Sequence, residues 1–315
     1  MTIPTQDESI GLPSSPSTGA RKPPIALTIA GFDPSSGAGV TADLQVFAAH
    51  GVFGTSAITA LTIQSTIGVA AVDLIWPSNL RETLQHLTTD LPPVGIKIGM
   101  LGSAEMVREV VDFLQQPDET SALKTLIPVT LDPVLRSSSG AALLDPQGLE
   151  LLREQLLDHV TWITPNWQEL ALLTETEVTS LNTAAGALDL LHHRYPHLHA
   201  VATGGDQAAP IDLLLTPVGE IHQFRGKRIE TSSTHGTGCA FSSALLSRLI
   251  LGDSPIAAIT AAKLYVEGAL LNAPGLGNGR GPLDLLWPLR QSRSQPVTSV
   301  QTSASAKPRE FRLHT

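Results

Sequence analysis

Short apolar runs alternate with longer, one-sided helical stretches along most of the chain. The runs Ile25–Ala30, Thr55–Ile63, Val94–Ile98, Ile127–Leu131, Trp162–Thr164 and His199–Thr203 are brief and rich in β-branched residues. They predict buried strands. Between them lie Val40–His50, Ser78–Asp90, Ser103–Gln115, Pro146–Asp158 and Ala184–Arg194, which carry apolar residues at helical spacing. Strand then helix, repeated, predicts an α/β fold: a mostly parallel sheet with helices on both faces. Ile211–Leu215 and Ile221–Arg225 flank Pro217-Val-Gly-Glu220, a turn sequence, and predict an antiparallel edge hairpin. Two further helices, 238–251 and 255–273, close the domain. No internal repeat is present.

The periodicity stops at both ends. Residues 1–23 are rich in Ser, Pro and Thr, and 291–315 in Ser, Gln and Thr. Such segments cannot bury enough apolar surface to offset ordering, so both are expected to be disordered tails around one domain, 24–290.

Composition narrows the function. Net charge is −9, from 29 acidic and 20 basic residues, and no basic stripe stands out. A nucleic-acid partner is not expected. No apolar run reaches the ~18 residues of a membrane span, and the N-terminal segment lacks the apolar core of a signal peptide. The single cysteine, Cys239, excludes an internal disulfide and suits a reducing cytoplasm.

In open α/β sheets, ligands sit beyond the carboxyl ends of the strands. Polar or glycine residues collect at those ends: Gly31 and Asp33, Gln64, Met100, Asp132, Asn166, and Gly204-Gly205 after Thr203. Ser233-Thr-His-Gly-Thr-Gly-Cys239 runs into an Ala/Leu/Ser helix. A Gly-Thr-Gly turn opening a helix is an anion site, because its first amides lack partners and the dipole end is positive. Gly236 and Gly238 allow a phosphate to approach the backbone, with Thr237 between them. Cys239 falls in the first turn, where a thiol pKa is expected to fall, giving a thiolate able to act as base or nucleophile.

Gly37-Ala-Gly-Val-Thr-Ala42 fits the dinucleotide fingerprint G-x-G-x-x-A. That site needs a carboxylate at the end of the next strand, and Ala60-Leu-Thr-Ile-Gln64 has none. The Gly-Lys motif of a P-loop is absent too.

Ala26-Leu-Thr-Ile-Ala-Gly31, Asp33-Pro-Ser-Ser-Gly-Ala-Gly39, Ala42-Asp-Leu44, Ser56–Leu61 with Gln64, Lys97-Ile-Gly-Met-Leu101, Leu131-Asp-Pro-Val134, Ile163-Thr-Pro-Asn166 and Thr234–Cys239 occur in that order. The set, over about residues 25–285, resembles the hydroxymethylpyrimidine/phosphomethylpyrimidine kinases of thiamine biosynthesis. The resemblance implies the ribokinase-like three-layer fold, a homodimer, and ATP- and Mg²⁺-dependent phosphorylation of 4-amino-5-hydroxymethyl-2-methylpyrimidine, then of its monophosphate. It makes Cys239 the catalytic base and Gly236, Thr237 and Gly238 the phosphoryl cradle. It turns Gly31, Asp43, Thr62, Gln64 and Met100 toward the pyrimidine. Asp132, Asn166, Thr203 and Gly205 fall toward the nucleotide, and Glu169 and Asp132 toward Mg²⁺. Asn166 and Glu169 also stand at the N-cap and third positions of a helix capping box, a purely structural role.

Three family lysines are missing, at Ser138, Thr203 and Ser232, with Arg136 and either Lys227 or Arg228 as candidate replacements. Leu283-Asp-Leu follows the glycine-rich Gly277–Pro282 where the family often has Asn-His. Two other functions stay open at this point: pyridoxal kinase, whose ring also bears a hydroxymethyl group, and a non-catalytic pyrimidine-binding module.

Overall fold

The computed structural model describes residues 22–115, 127–137, 140–205, 207 and 210–292. The two expected tails fall almost wholly outside these residues, as does Ser138. Nine strands form one sheet: β1 (Ile25–Phe32), β2 (Phe53–Ser65), β3 (Gly68–Leu74), β4 (Gly95–Ile98), β5 (Val129–Leu131), β6 (Trp162–Ile163), β7 (His199–Ala202), β8 (Ile211–Leu215) and β9 (Ile221–Arg225). Their spatial order is β3-β2-β1-β4-β5-β6-β7-β8-β9. From β2 through β7 every neighbouring pair is parallel. The chain builds outward from β1 to β3, then returns to place β4 on the other side of β1, so the order reverses between β1 and β4. Ligand crevices form at such switch points.

The β8–β9 hairpin forms as the sequence predicts, and β8 also runs antiparallel to β7. A second hairpin, β2–β3, closes the opposite edge. The sequence pattern hides it: β3 reads Gly-Val-Ala-Ala-Val-Asp-Leu and none of its residues is buried, so neither alternation nor a continuous apolar run marks it.

Helices α1 (Gly39–Ala49), α2 (Pro77–Asp90), α3 (Ala104–Gln115), α4 (Pro146–Glu154), α5 (Trp167–Thr174), α6 (Leu181–Arg194), α7 (Thr237–Ile250), α8 (Pro255–Leu271) and α9 (Trp287–Ser292) complete the described residues. Pro146–Asp158, expected as one helix, is α4 followed by a 3₁₀ turn at Leu156–His159. Helices α2 to α6 share one apolar layer with Leu27, Ile29, Ile96 and Ile98 of the sheet. The opposite layer holds α1, α7 and α8, with Val46, Ala240, Phe241, Ala244, Ile259 and Tyr265 in its core.

Strand alternation puts the next residues of β1 and β4, Thr28 and Lys97, on that opposite face. Lys97 is fully buried there. Its Nζ donates to Asp43 of α1, 3.1 Å from Oδ1 and 2.9 Å from Oδ2. Thr28 donates to Asp43 Oδ2 at 2.6 Å, and Ser243 of α7 donates to Oδ1 at 2.7 Å. Burial pulls the Lys97 pKa down, but Asp43, with Cys239 and Asp132, more than reverses this and holds the ammonium above its usual range. Four elements thus meet at one buried ion pair.

Removing one partner of such a pair strands the other charge, at a cost of ~3–5 kcal/mol. Lys97→Met is therefore expected to lower urea-unfolding stability by about that much. Lys97→Met combined with Asp43→Leu, which removes both charges, is expected to regain most of it. A double variant no more stable than Lys97→Met would show that the pair is not what joins these elements.

Candidate active site

The glycine turn packs against the loop after β1. Gly236, the N-cap of α7, has φ +84°, and Gly39, at the start of α1, has φ +61°. A side chain at Gly236 would overlap the Gly37 carbonyl, and one at Gly39 would overlap that of Gly31. The two loops are joined backbone to backbone, a fit open only to glycine at these dihedrals. Gly236 offers no side-chain cap to α7, so the amides at the helix start remain for a ligand. Space exists there: a Cβ on Gly238 would come no closer to anything than 3.9 Å, from the Asp132 carboxylate.

Asp33 organises the loop after β1. Its Oδ1 accepts from the Ser35 amide at 2.8 Å and the Ser35 hydroxyl at 2.7 Å, and its Oδ2 accepts from the Ala38 amide at 3.0 Å. His235 Nε2 lies 2.7 Å from the same Oδ2. Burial raises the Asp33 pKa, but the hydrogen bonds from His235 and Ser35 outweigh it and hold the carboxyl below its usual range. Gln64, at the end of β2, reaches the same imidazole nitrogen at 2.8 Å. Gly31 and Met100 close the wall beside it: a Cβ on Gly31 would sit 3.2 Å from the Met100 sulfur. The Thr62 hydroxyl donates to the Phe32 carbonyl at 3.0 Å, pinning β2 to the end of β1.

Asp132, after β5, lies under the cradle and is 4% exposed. Ser242 donates to its Oδ2 at 3.2 Å, and Lys97 Nζ is 4.0 Å away. Burial raises its pKa and Asp43 adds to the rise, against opposing pulls from Lys97, Ser242 and Cys239. Farther along the sheet, Asn166 and Glu169 form a complete capping box on α5: the Glu169 amide donates to Asn166 Oδ1 at 2.9 Å, and the Asn166 amide donates to Glu169 Oε2 at 2.9 Å. The Thr203 amide donates to the Pro165 carbonyl at 2.8 Å, which brings Thr203 beside Asn166. Gly205 follows Gly204, whose amide donates to Asp212 Oδ1 at 2.9 Å.

Two expectations are corrected. Asp43 is fully buried, and Lys97, Thr28 and Ser243 occupy its carboxylate, so it holds the floor of the site together and does not face a ring in the cleft. The Cys239 thiol is not depressed. Burial pushes it up to about 12, Asp132 and Asp43 push the same way, and Lys97 and the Gly39 amide only partly oppose them. The helix start is outweighed first by burial of the thiol, with the two carboxylates in the pocket adding to it. The sequence gives Lys97 and His235 no role of their own, although both lie inside its motifs, and gives Asp33 only a place at a strand end. A lone charge in the four-residue apolar strand Gly95–Ile98 was the available signal for Lys97.

Of the candidate replacements for the missing lysines, Arg228 donates to the Gln207 carbonyl at 3.0 Å, on the loop after Gly205. Arg136 donates to the Gly140 carbonyl at 3.3 Å.

A family model described as phosphomethylpyrimidine kinase matches residues 33–284. The chain belongs to this family. It is 39% identical to a hydroxymethylpyrimidine/phosphomethylpyrimidine kinase of Synechococcus elongatus over 269 residues, covering 84% of this chain and 98% of that protein. Among solved structures, pyridoxal kinase of Staphylococcus aureus, in complex with AMP-PCP and pyridoxal, matches with a TM-score of 0.74 at 26% identity, covering 84% of this chain and 94% of that one. Phosphomethylpyrimidine kinase of Clostridium difficile matches with a TM-score of 0.66 at 30% identity, covering 78% and 99%. The ribokinase-like architecture and the assignment as a phosphotransferase of this kinase family follow.

A thiol with a pKa near 12 is protonated at neutral pH, and only thiolate reacts with iodoacetamide. Alkylation of Cys239 in the unliganded protein is therefore expected to be slow at pH 7–8 and to go on accelerating up to the alkaline limit of folding. A rate that levels off near pH 8 would contradict the raised value.

Proposed function

We propose that this kinase transfers the γ-phosphoryl group of ATP, with Mg²⁺, to the hydroxymethyl group of 4-amino-5-hydroxymethyl-2-methylpyrimidine, and then phosphorylates the monophosphate. Residues 24–290 are the catalytic unit in this reading, working in the cytoplasm. The observation that carries it is the placement of the Gly31–Met100 wall and the Gln64 amide beside the open amides of α7. A flat ring and a transferring phosphoryl group thereby become neighbours, in a chain whose relatives with this name extend over its whole domain.

In the transfer, the bond from the γ-phosphorus to the bridging oxygen breaks, a bond to the hydroxymethyl oxygen forms, and ADP leaves. The Gly236–Cys239 amides hold the equatorial oxygens of the phosphoryl group. The hydroxyl proton becomes strongly acidic only as the new bond forms. Cys239 takes it while passing its own proton to Asp132, which burial has made a better acceptor. Among the described residues, no cluster of three or more His, Cys, Asp or Glu side chains could hold a metal. A Mg²⁺ in this reading arrives on nucleotide phosphates and meets one or two carboxylates, Glu169 directly and Asp132, the destination of the proton, only through water. The cation would neutralise charge on the β- and γ-phosphates. Thr203, Gly205 and Asn166 then border the nucleotide.

Pyridoxal is the second reading, favoured by the pyridoxal-bound structural neighbour. We also propose a homodimer. Leu61 and Ile63 are 48% and 60% exposed, on the face of β2 opposite Thr62 and Gln64.

Purified protein is expected to convert hydroxymethylpyrimidine to its mono- and diphosphate, and Cys239→Ser to lower kcat by about 10²–10⁴ with a smaller change in KM. Cys239→Asp is expected to keep more activity than Cys239→Ser. Turnover of pyridoxal alone would overturn the substrate, and a fully active Cys239→Ser would overturn the base. Glu169→Gln preserves a capping-box acceptor and removes the charge. It is expected to raise the Mg²⁺ concentration for half-maximal rate at unchanged melting temperature, whereas a lowered melting temperature with the Mg²⁺ response intact would leave Glu169 a cap only. Sedimentation is expected to show a dimer that Leu61→Asp/Ile63→Asp dissociates, and a wild-type monomer at micromolar concentration would end that assignment.

A further inference from the structure

His235 Nε2 faces two partners at once: Asp33 Oδ2 at 2.7 Å and the Gln64 carboxamide nitrogen at 2.8 Å. One imidazole nitrogen carries either a proton or a lone pair in the ring plane, never both. The carboxylate decides which. Asp33 is 3% exposed and has donors from Ser35 and Ala38 fixing its position, so it cannot turn away. A lone pair on Nε2 would face carboxylate lone pairs at contact distance, so the proton must sit on Nε2. Gln64 then needs an acceptor toward the ring. The two ends of a carboxamide have the same shape, and hydrogen-bond chemistry fixes which end faces which partner. Its oxygen takes the near position, sharing the Nε2 proton, and its NH₂ turns outward. Among the described residues, the outward end of this amide has no hydrogen-bond partner.

We propose that Asp33 and His235 are positioning residues that lock the Gln64 carboxamide with its NH₂ toward the ring substrate. The site then selects a ring with an acceptor nitrogen at that edge, and a donor at the same position is rejected. The exocyclic amine of an aminopyrimidine must find its acceptor elsewhere, on a backbone carbonyl or water. The inference rests on the proposed place of Gln64 beside the ring. It adds what sets that residue's polarity: a proton on a ring nitrogen that lies 2.7 Å from a carboxylate oxygen on the loop after β1. It also gives His235 a task distinct from the cradle it precedes.

Long-range ¹⁵N–¹H NMR on histidine-labelled, full-length protein reads the tautomer directly. We expect a proton on His235 Nε2 in the folded protein, and an Nδ1–H form with Nε2 bare would overturn the proposal by itself. Kinetics supply the functional arm. Gln64→Glu keeps the acceptor for His235 and removes both outward donors, so KM for hydroxymethylpyrimidine should rise about 10–100-fold with KM for ATP unchanged. His235→Phe frees the amide to rotate and should raise the same KM roughly tenfold, and His235→Gln, which can still donate to Asp33, should recover most of the loss. If Gln64→Glu binds the ring as well as wild type, or His235→Phe raises both KM values equally, the positioning role is wrong. Should wild type phosphorylate only pyridoxal, the substrate reading fails while the tautomer still decides this inference. A variant that does not fold leaves the wild-type NMR result decisive.

Discussion

A lysine ammonium buried completely in a protein requires a full set of acceptors, and much of this fold is arranged around supplying them. Lys97 stands on β4 at the switch point of the sheet, and Asp43 comes to it from α1. The carboxylate is itself completed by Thr28 on β1 and Ser243 on α7. Helices α1 and α7, which start at the two glycine turns, are therefore fixed to β1 and β4 by one charge pair. Burial of both ions costs heavily, and the geometry offsets it only while every member is in place. The pair also sets the electrostatics above it, since Lys97 is the cation opposing Asp132 and Asp43 in their action on the Cys239 thiol.

The site is pre-formed by backbone contacts more than by side chains. Gly236 against Gly37, and Gly39 against Gly31, hold the cradle without ligand, so little reorganisation is left for the bound state. His235 adds a side-chain crosslink between the ends of β1 and β2 and the start of α7.

Much of this was legible in the chain. Strands buried on both faces read as continuous apolar runs, so β1, β4, β7 and β8 emerged within a few residues. The Gly-Thr-Gly turn announced itself because few other uses explain two glycines before a helix. What stayed hidden has physical reasons. β3 carries small, half-exposed residues whose pattern specifies no face. α5 is eight residues long and too short to show a period, so only its cap was visible. The burial of Asp43 stayed hidden because its partners lie 15, 54 and 200 residues away, at Thr28, Lys97 and Ser243. The thiol shift stayed hidden for the same reason: a helix start is a local property, whereas the burial that outweighs it, and the two carboxylates that add to it, arrive through the tertiary fold.

The meeting of Gly236 with Gly37 has a consequence for how this sequence can drift. Where a side chain packs against a side chain, loss of volume on one partner can be answered by gain on the other, and lineages wander through such pairs. Two main chains in contact have no volume to exchange. Among random variants of this chain, survivors should thus be permissive across the apolar layers and nearly blank at Gly236, whose side chain would overlap the Gly37 carbonyl, whichever ring the enzyme accepts.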